Sequence, residues 1–237
     1  MAEHFSFHSD RAGISLIDFL GEETALSKSK LKKVIGIGGL WVKPREGELE
    51  RVYQFNKNIK LGDDVHLFYD EQLLKIPKAS LDLIQDEGRY AVYFKSDRFA
   101  LEESPYCDHL HMSRSIERDL PEDREIFSIL SDEPVVAGFT LFTFHPTMAD
   151  KFDKALNNQQ IIGEFSCHLS SDEWLKAESV LSDLAGNATD KIQLSFDALP
   201  ERIDRLLDAG LEPSQPFLVC EKISFPCPFT GQLITIK

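Results

Sequence analysis

The chain has 237 residues, 42% of them hydrophobic, which is enough for one large core or two smaller ones. It carries 40 acidic against 26 basic residues, a formal net charge of −14, so a polyanion must be met by a local basic patch and not by the whole surface. No run of 18 apolar residues occurs, so a helical membrane span is not expected and no membrane is placed among the partners.

The charge is uneven along the chain. Residues 1–62 hold 10 Lys/Arg against 8 Asp/Glu, whereas residues 63–237 hold 16 against 32. A polyanionic ligand is therefore expected at the N-terminal piece. Met1 to Asp10 carries Glu3 and Asp10 without an apolar stretch, unlike a secretory signal. Cys107, Cys167, Cys220 and Cys227 form no Cys-x-x-Cys and read as reduced thiols, which suggests a cytoplasmic protein.

The elements follow in chain order. Leu16, Ile17, Phe19 and Leu20 form a short helical face. Ser27 stands as N-cap before a second helix, Lys28 to Ile37, in which Leu31, Val34 and Ile35 recur at i, i+3 and i+4. Those three residues face a core, so Lys28, Lys30, Lys32 and Lys33 turn toward solvent. Gly38-Gly39 ends the helix, and 40–43 and 65–69 read as strands with Gly62-Asp63 as the turn before the second. Residues 76–80 form a linker around Pro77. Beyond it, strands are predicted at 90–95, 135–144 and 163–169, and a final hairpin at 217–225 and 233–236. Helices are predicted at 147–156 behind Pro146 with Thr147 as cap, at 172–185, and at 199–209 closed by Gly210. Strands and helices mix without strict βαβ alternation, so the class is α+β.

The lysine-rich helix admits two readings: a solvated face, or a phosphate-binding surface in which Ser27, Lys28, Lys30, Lys32, Lys33, Trp41 and Lys43 take part. Cys107, Asp108, His109 and His111 match no standard metal spacing, and no metal or other cofactor is expected. His145-Pro146 reads as the turn before a helix, and Trp174 and Phe196 as core.

Leu26-Ser-Lys-Ser-Lys30, the glycine after the helix, Val42-Lys43 and Leu61-Gly-Asp-Asp64 together resemble an alpha-L RNA-binding domain of the S-four type, over residues 14–69. The remainder resembles the ribosomal and transfer RNA pseudouridine synthases that often carry such a domain. Tyr90 to Lys95 is similar to the strand leading into that family's Lys-Pro-Ala-Gly motif. Cys107-Asp108-His109 stands where some members have Gly-Asp-His, and Ile223 to Gln232 is similar to the last strand and turn. The resemblance implies a small RNA-binding domain, residues 1–75, followed by a shortened mixed-sheet domain, residues 81–237. Its implied ligand is structured ribosomal or transfer RNA.

The sequence departs from the family at the catalytic signature His-Arg-Leu-Asp-x-x-Thr-Ser-Gly. Placing its glycine at Gly138 puts Glu133 at the aspartate position, with Asp132 one residue early. Ser131 replaces the arginine, Val136-Ala137 the Thr-Ser pair and Phe165 the tyrosine, and the Gly-Arg-x-His-Gln-Ile-Arg loop shrinks to Leu199–Arg205. Uridine isomerisation needs no cofactor but does need an oriented carboxylate, and misplacement by about 1 Å costs roughly 100-fold. The expectation is therefore an RNA-binding protein without catalysis. Two alternatives stand beside it: an active isomerase using Glu133 or Asp132, and an acidic scaffold for a basic protein partner.

Overall fold

The computed structural model describes residues 2–78, 80–95, 99, 104–118, 120, 125–130, 135–173, 175–177, 191–211 and 216–237. Two units pack separately, Met1–Lys78 with Glu102–His111, and Ala79–Leu101 with Met112–Lys237. Helices and mixed sheets occur together, which makes the class α+β.

Polar–apolar alternation builds the first unit. Strands β1 (Ala2–His8), β2 (Leu40–Lys43), β3 (Glu50–Arg51) and β4 (Asp64–Asp70) form an antiparallel sheet in the order β1-β4-β2-β3. Phe5, Phe7, Leu40, Val42, Val65, Leu67 and Tyr69 share one face, since successive strand residues point to opposite sides. That face packs with helices α1 (Leu16–Glu23) and α2 (Lys28–Gly36) through Leu16, Ile17, Phe19, Leu20, Leu31, Val34 and Ile35. Burying each such side chain stabilises by about 1.5–3 kcal/mol.

The larger unit is organised by one mixed sheet of eight strands. Along it run β10 (Lys191–Ser195), β9 (Ile162–Cys167), β11 (Leu218–Pro226), β8 (Val136–Thr143), β6 (Tyr90–Lys95) and β5 (Leu81–Asp86). Strand β12 (Leu233–Ile236) pairs with β11, and β7 (Phe127–Ser128) with β8. Every residue of β8 is buried, because both sheet faces are covered. Tyr90, Val92 and Leu141 join one core with Phe152 of α4 (Pro146–Asn157) and Leu199, Ile203 and Leu206 of α5 (Leu199–Asp208). Ala91, Tyr93 and Phe142 join a smaller core with Met112 and Ile116 of α3 (Met112–Glu117).

Three expectations need correction. Helix α4 starts at Pro146, and its cap is His145, whose Nδ1 accepts from the Thr147 backbone N–H at 3.2 Å; Thr147 is not the cap. Leu199–Arg205 lies within helix α5 and is not the loop that the family resemblance implies. Strands β1, β3, β5, β7 and β10 and helix α3 were not anticipated. The predicted helix at 172–185 falls mostly outside the described residues, although 171–173 and 175–177 are helical. Phe196 is buried as expected, and Trp174 lies outside the described residues.

Candidate nucleic-acid interface

Helix α2 owes its orientation to its three apolar residues. With Leu31, Val34 and Ile35 fully inside, Lys28, Lys30, Lys32 and Lys33 are all left exposed. Ser27 starts the helix, its Oγ accepting from the Lys30 backbone N–H at 3.3 Å.

The four lysines differ in what they touch. Lys28 Nζ donates to Asp18 Oδ1 at 2.5 Å, and this bond, more than the Ser15 hydroxyl, holds the Asp18 carboxyl below its ordinary range. Lys30 Nζ lies 3.3 Å from the Tyr69 hydroxyl and 3.5 Å from Glu71, which together raise its pKa. Lys32 Nζ stands 5.0 Å from the centre of the Phe55 ring. Neither Lys32 nor Lys33 forms an ion pair among the described residues. The cations available to a phosphate are therefore concentrated at Lys32 and Lys33.

Trp41 and Lys43 occupy the other side of the sheet. They alternate along β2 with buried Leu40 and Val42, so they face away from the helices. Lys43 is exposed opposite Asp64, whose carboxyl is lowered first by a hydrogen bond from His8 at 2.7 Å and only slightly by Lys43. Trp41 is half-buried, its Nε1 donating to the Pro105 carbonyl at 3.0 Å, with the Arg51 guanidinium 4.3 Å from its ring centre. Helix α2 thus spreads Ser27 and the four lysines around its solvent-exposed side, while Trp41 and Lys43 sit on the far face of the sheet.

Segment 104–111 is clamped against this outer face. Asp108, wholly buried, forms an ion pair with Arg51 and accepts a hydrogen bond from the Tyr53 hydroxyl. Arg51 also donates to the Ser104 carbonyl at 2.8 Å, and the Asp108 N–H donates to the Ile37 carbonyl at 2.6 Å. Asp108 of the Cys107-Asp108-His109 triplet is therefore occupied in holding the segment. Burial pushes the Cys107 thiol pKa up. Among the described residues no group of three or more His, Cys, Asp or Glu side chains could hold a metal, and no helix is long and apolar enough to cross a membrane.

The stretch Tyr53-Gln-Phe55-Asn-Lys57 lies beside α2 and stands out neither by charge nor by periodicity. Its backbone is strapped to the start of α1, where Ile17 N–H donates to the Phe55 carbonyl at 3.0 Å and Leu16 N–H to the Lys57 carbonyl at 2.9 Å. Phe55 nevertheless keeps 39% of its surface exposed. The interleaving of aromatics with Arg51 and Lys57 was the available signal.

In the larger unit, Asp132 and Glu133 lie outside the described residues, as does Ser131. Phe165 is fully buried and packs on Phe196 with ring centres 5.3 Å apart. Gly138 pairs with Cys220 across the parallel β8–β11 junction and with Lys95 on β6. A Cβ there would stand 2.2 Å from the Cys220 carbonyl oxygen, so this glycine permits two strands to approach. Lys95 is itself buried.

No family model matches the sequence, and no curated protein matches it. A solved structure titled as a pseudouridylate synthase aligns over 95% of this chain and 96% of its own, at 14% identity and a TM-score of 0.32. At that TM-score the likeness carries neither fold nor function to this chain.

Proposed function

We propose that this protein binds RNA through the exposed face of α2 and that its larger unit does not isomerise uridine. The observation that carries the binding is the pair Lys32 and Lys33, solvent-facing and outside any ion pair among the described residues, on a helix anchored by Leu31, Val34 and Ile35. Two such cations on a rigid helix meet a phosphate backbone without first breaking an internal pair. Lys28 and Lys30 stand beside them but must release Asp18 and Glu71. Structured ribosomal or transfer RNA is the ligand that the alpha-L resemblance favours.

Fluorescence-anisotropy titration of structured RNA tests this. Lys32→Glu with Lys33→Glu should weaken binding at least tenfold, and wild-type affinity should fall steeply with salt. Unchanged affinity in the double variant overturns the reading. A basic protein bound with no RNA affinity would favour the acidic scaffold instead.

The absence of catalysis is supported by the residues around the motif. A carboxylate at Glu133 or Asp132 has Ser131 where the resemblance places an arginine, and Phe165 brings no hydroxyl and lies within the core. Without fixed partners a carboxylate lacks the preorganisation that supplies most of a rate enhancement. Carbodiimide-stop mapping of transcribed ribosomal and transfer RNA should detect no pseudouridine. Signal from wild type that vanishes in Asp132→Ala or Glu133→Ala would restore the isomerase.

A further inference from the structure

We infer that Phe55 is a stacking platform for an unpaired base, so the RNA taken by this surface carries a nucleotide outside a continuous duplex. The inference rests on the RNA-binding reading of α2 and narrows it. Three observations meet at this ring. Phe55 is 39% exposed although its backbone is fixed. Its carbonyl accepts from Ile17 N–H at 3.0 Å, its neighbour Lys57 N–H donates to the Gln54 carbonyl at 3.1 Å, and the Lys57 carbonyl accepts from Leu16 N–H, so the ring is held on a strapped turn. Lys32 Nζ lies 5.0 Å from its centre, with Lys33 and Lys57 exposed on the same unit.

An aromatic face next to a cation suits one chemistry well: a base stacks on the ring while the adjacent phosphate meets the ammonium. A base within a Watson–Crick duplex already has both faces stacked and offers none to Phe55. A bulged, looped or single-stranded nucleotide offers one. Lys32 then has two roles, lying over the ring in the free protein and, displaced from it by the stacked base, contacting phosphate in the complex. Tyr53, also partly exposed, is less suited because its hydroxyl is committed to Asp108.

The test compares two RNAs of equal length, one fully paired and one with a single-nucleotide bulge, titrated against the full chain. Phe55→Ala and Phe55→Leu should each weaken binding to the bulged RNA about tenfold and leave the paired RNA within twofold. Phe55→Tyr or Phe55→Trp should restore it. Equal affinity of wild type and Phe55→Ala for the bulged RNA overturns the platform, as does full retention by Phe55→Leu, which would mean apolar contact without stacking. Equal losses on both RNAs overturn it too. Lys32→Glu with Lys33→Glu separates the two levels. If that variant weakens binding and Phe55→Ala does not, the platform alone fails; if neither changes binding, the RNA-binding reading fails with it. Circular dichroism and thermal melting of each variant should match wild type, since Phe55 lies outside the buried core.

Discussion

The two units place their polar groups in opposite ways. In the smaller unit the notable charges lie at the surface of a small helix-on-sheet core, and one buried pair, Arg51 with Asp108, fixes segment 104–111. In the larger unit, two positions that the family resemblance aligns with its motifs are taken up by packing: Phe165 is core, and Gly138 lets two strands close, while 131–133 lie outside the described residues. A surface whose cations are free can act on a ligand. A motif position whose side chain is consumed by the core cannot. That contrast is why the smaller unit carries the proposed binding and the larger one is proposed to be without catalysis.

The largest expected break is at Gly138. Its φ is +95°, and an added Cβ would meet the Cys220 backbone, where neither strand can yield without losing the β8–β11 pairing. Gly138→Ala should destabilise the larger unit by about 4 kcal/mol, at the upper end for a point substitution. Gly210→Ala is the control: φ is +88° but the space is open, so the cost should be about 1–2 kcal/mol. Hydrogen exchange locates the effect. Faster exchange in β6, β8, β9 and β11 with unchanged protection in α2 and β4 is expected if the two units fold independently of one another. Equal loss in both would join them.

Next in size is the buried pair. Arg51→Ala leaves the Asp108 carboxylate inside without its cation, at a cost of about 3 kcal/mol to the smaller unit. Replacing both, Arg51→Met with Asp108→Leu, should recover most of it, since an apolar pair of similar volume escapes the desolvation penalty. Urea unfolding followed by Trp41 fluorescence, whose ring lies under Arg51, reads both changes.

These contrasts explain what was legible in the sequence. Every strand with neighbours on both sides, β2, β4, β6, β8, β9 and β11, was anticipated, because burial on one or both faces writes a clear apolar pattern. The end strands β1, β3, β5 and β10 were missed. Leu-Asp-Leu-Ile-Gln-Asp of β5 and Lys-Ile-Gln-Leu-Ser of β10 carry polar residues that suit a solvent-facing edge and weaken the signal. Helix α2 and its Ser27 cap were legible for a local reason, since capping and helical periodicity both act within one turn. Phe55 was not, because its exposure depends on hydrogen bonds to residues about 40 positions earlier, at Leu16 and Ile17.

Alkaline pH should act most strongly on the larger unit. Burial raises the Cys220 thiol from 9.0 to about 12, and Tyr90, raised mainly by burial, also to about 12 from 10.0. A raised pKa means the folded state keeps a proton that the unfolded chain releases. Stability is thus complete below pH 9 and falls from there toward 12, for Cys220 by about 1.4 kcal/mol per pH unit at most. Unfolding free energy measured from pH 7 to 10 should decline only above 9, and Cys220→Ala should reduce that decline, leaving the part due to Cys107 and Tyr90, while lowering stability at neutral pH through the cavity it leaves.

Acid should act with the opposite sign and the smallest effect, in the smaller unit through Asp18. The Asp18 carboxyl is lowered from 3.8 by the Lys28 ammonium first and the Ser15 hydroxyl second. A lowered pKa gives a stabilisation that is full above the unfolded value and disappears as pH falls below about 3.8 through the folded one. The pair is exposed to solvent, so water and salt screen it and the change will be small. It should still be visible as a shallow loss of α1 and α2 protection below about pH 3.8 at low ionic strength, weaker in 0.5 M salt. Asp18→Asn should flatten this limb and also free Lys28, so the same variant should bind RNA slightly more tightly than wild type at neutral pH. A flat acid limb in the wild type would mean that Lys28 is already free in solution. Phosphate contacts would then be spread evenly along α2, and Lys32 and Lys33 would hold no advantage over Lys28.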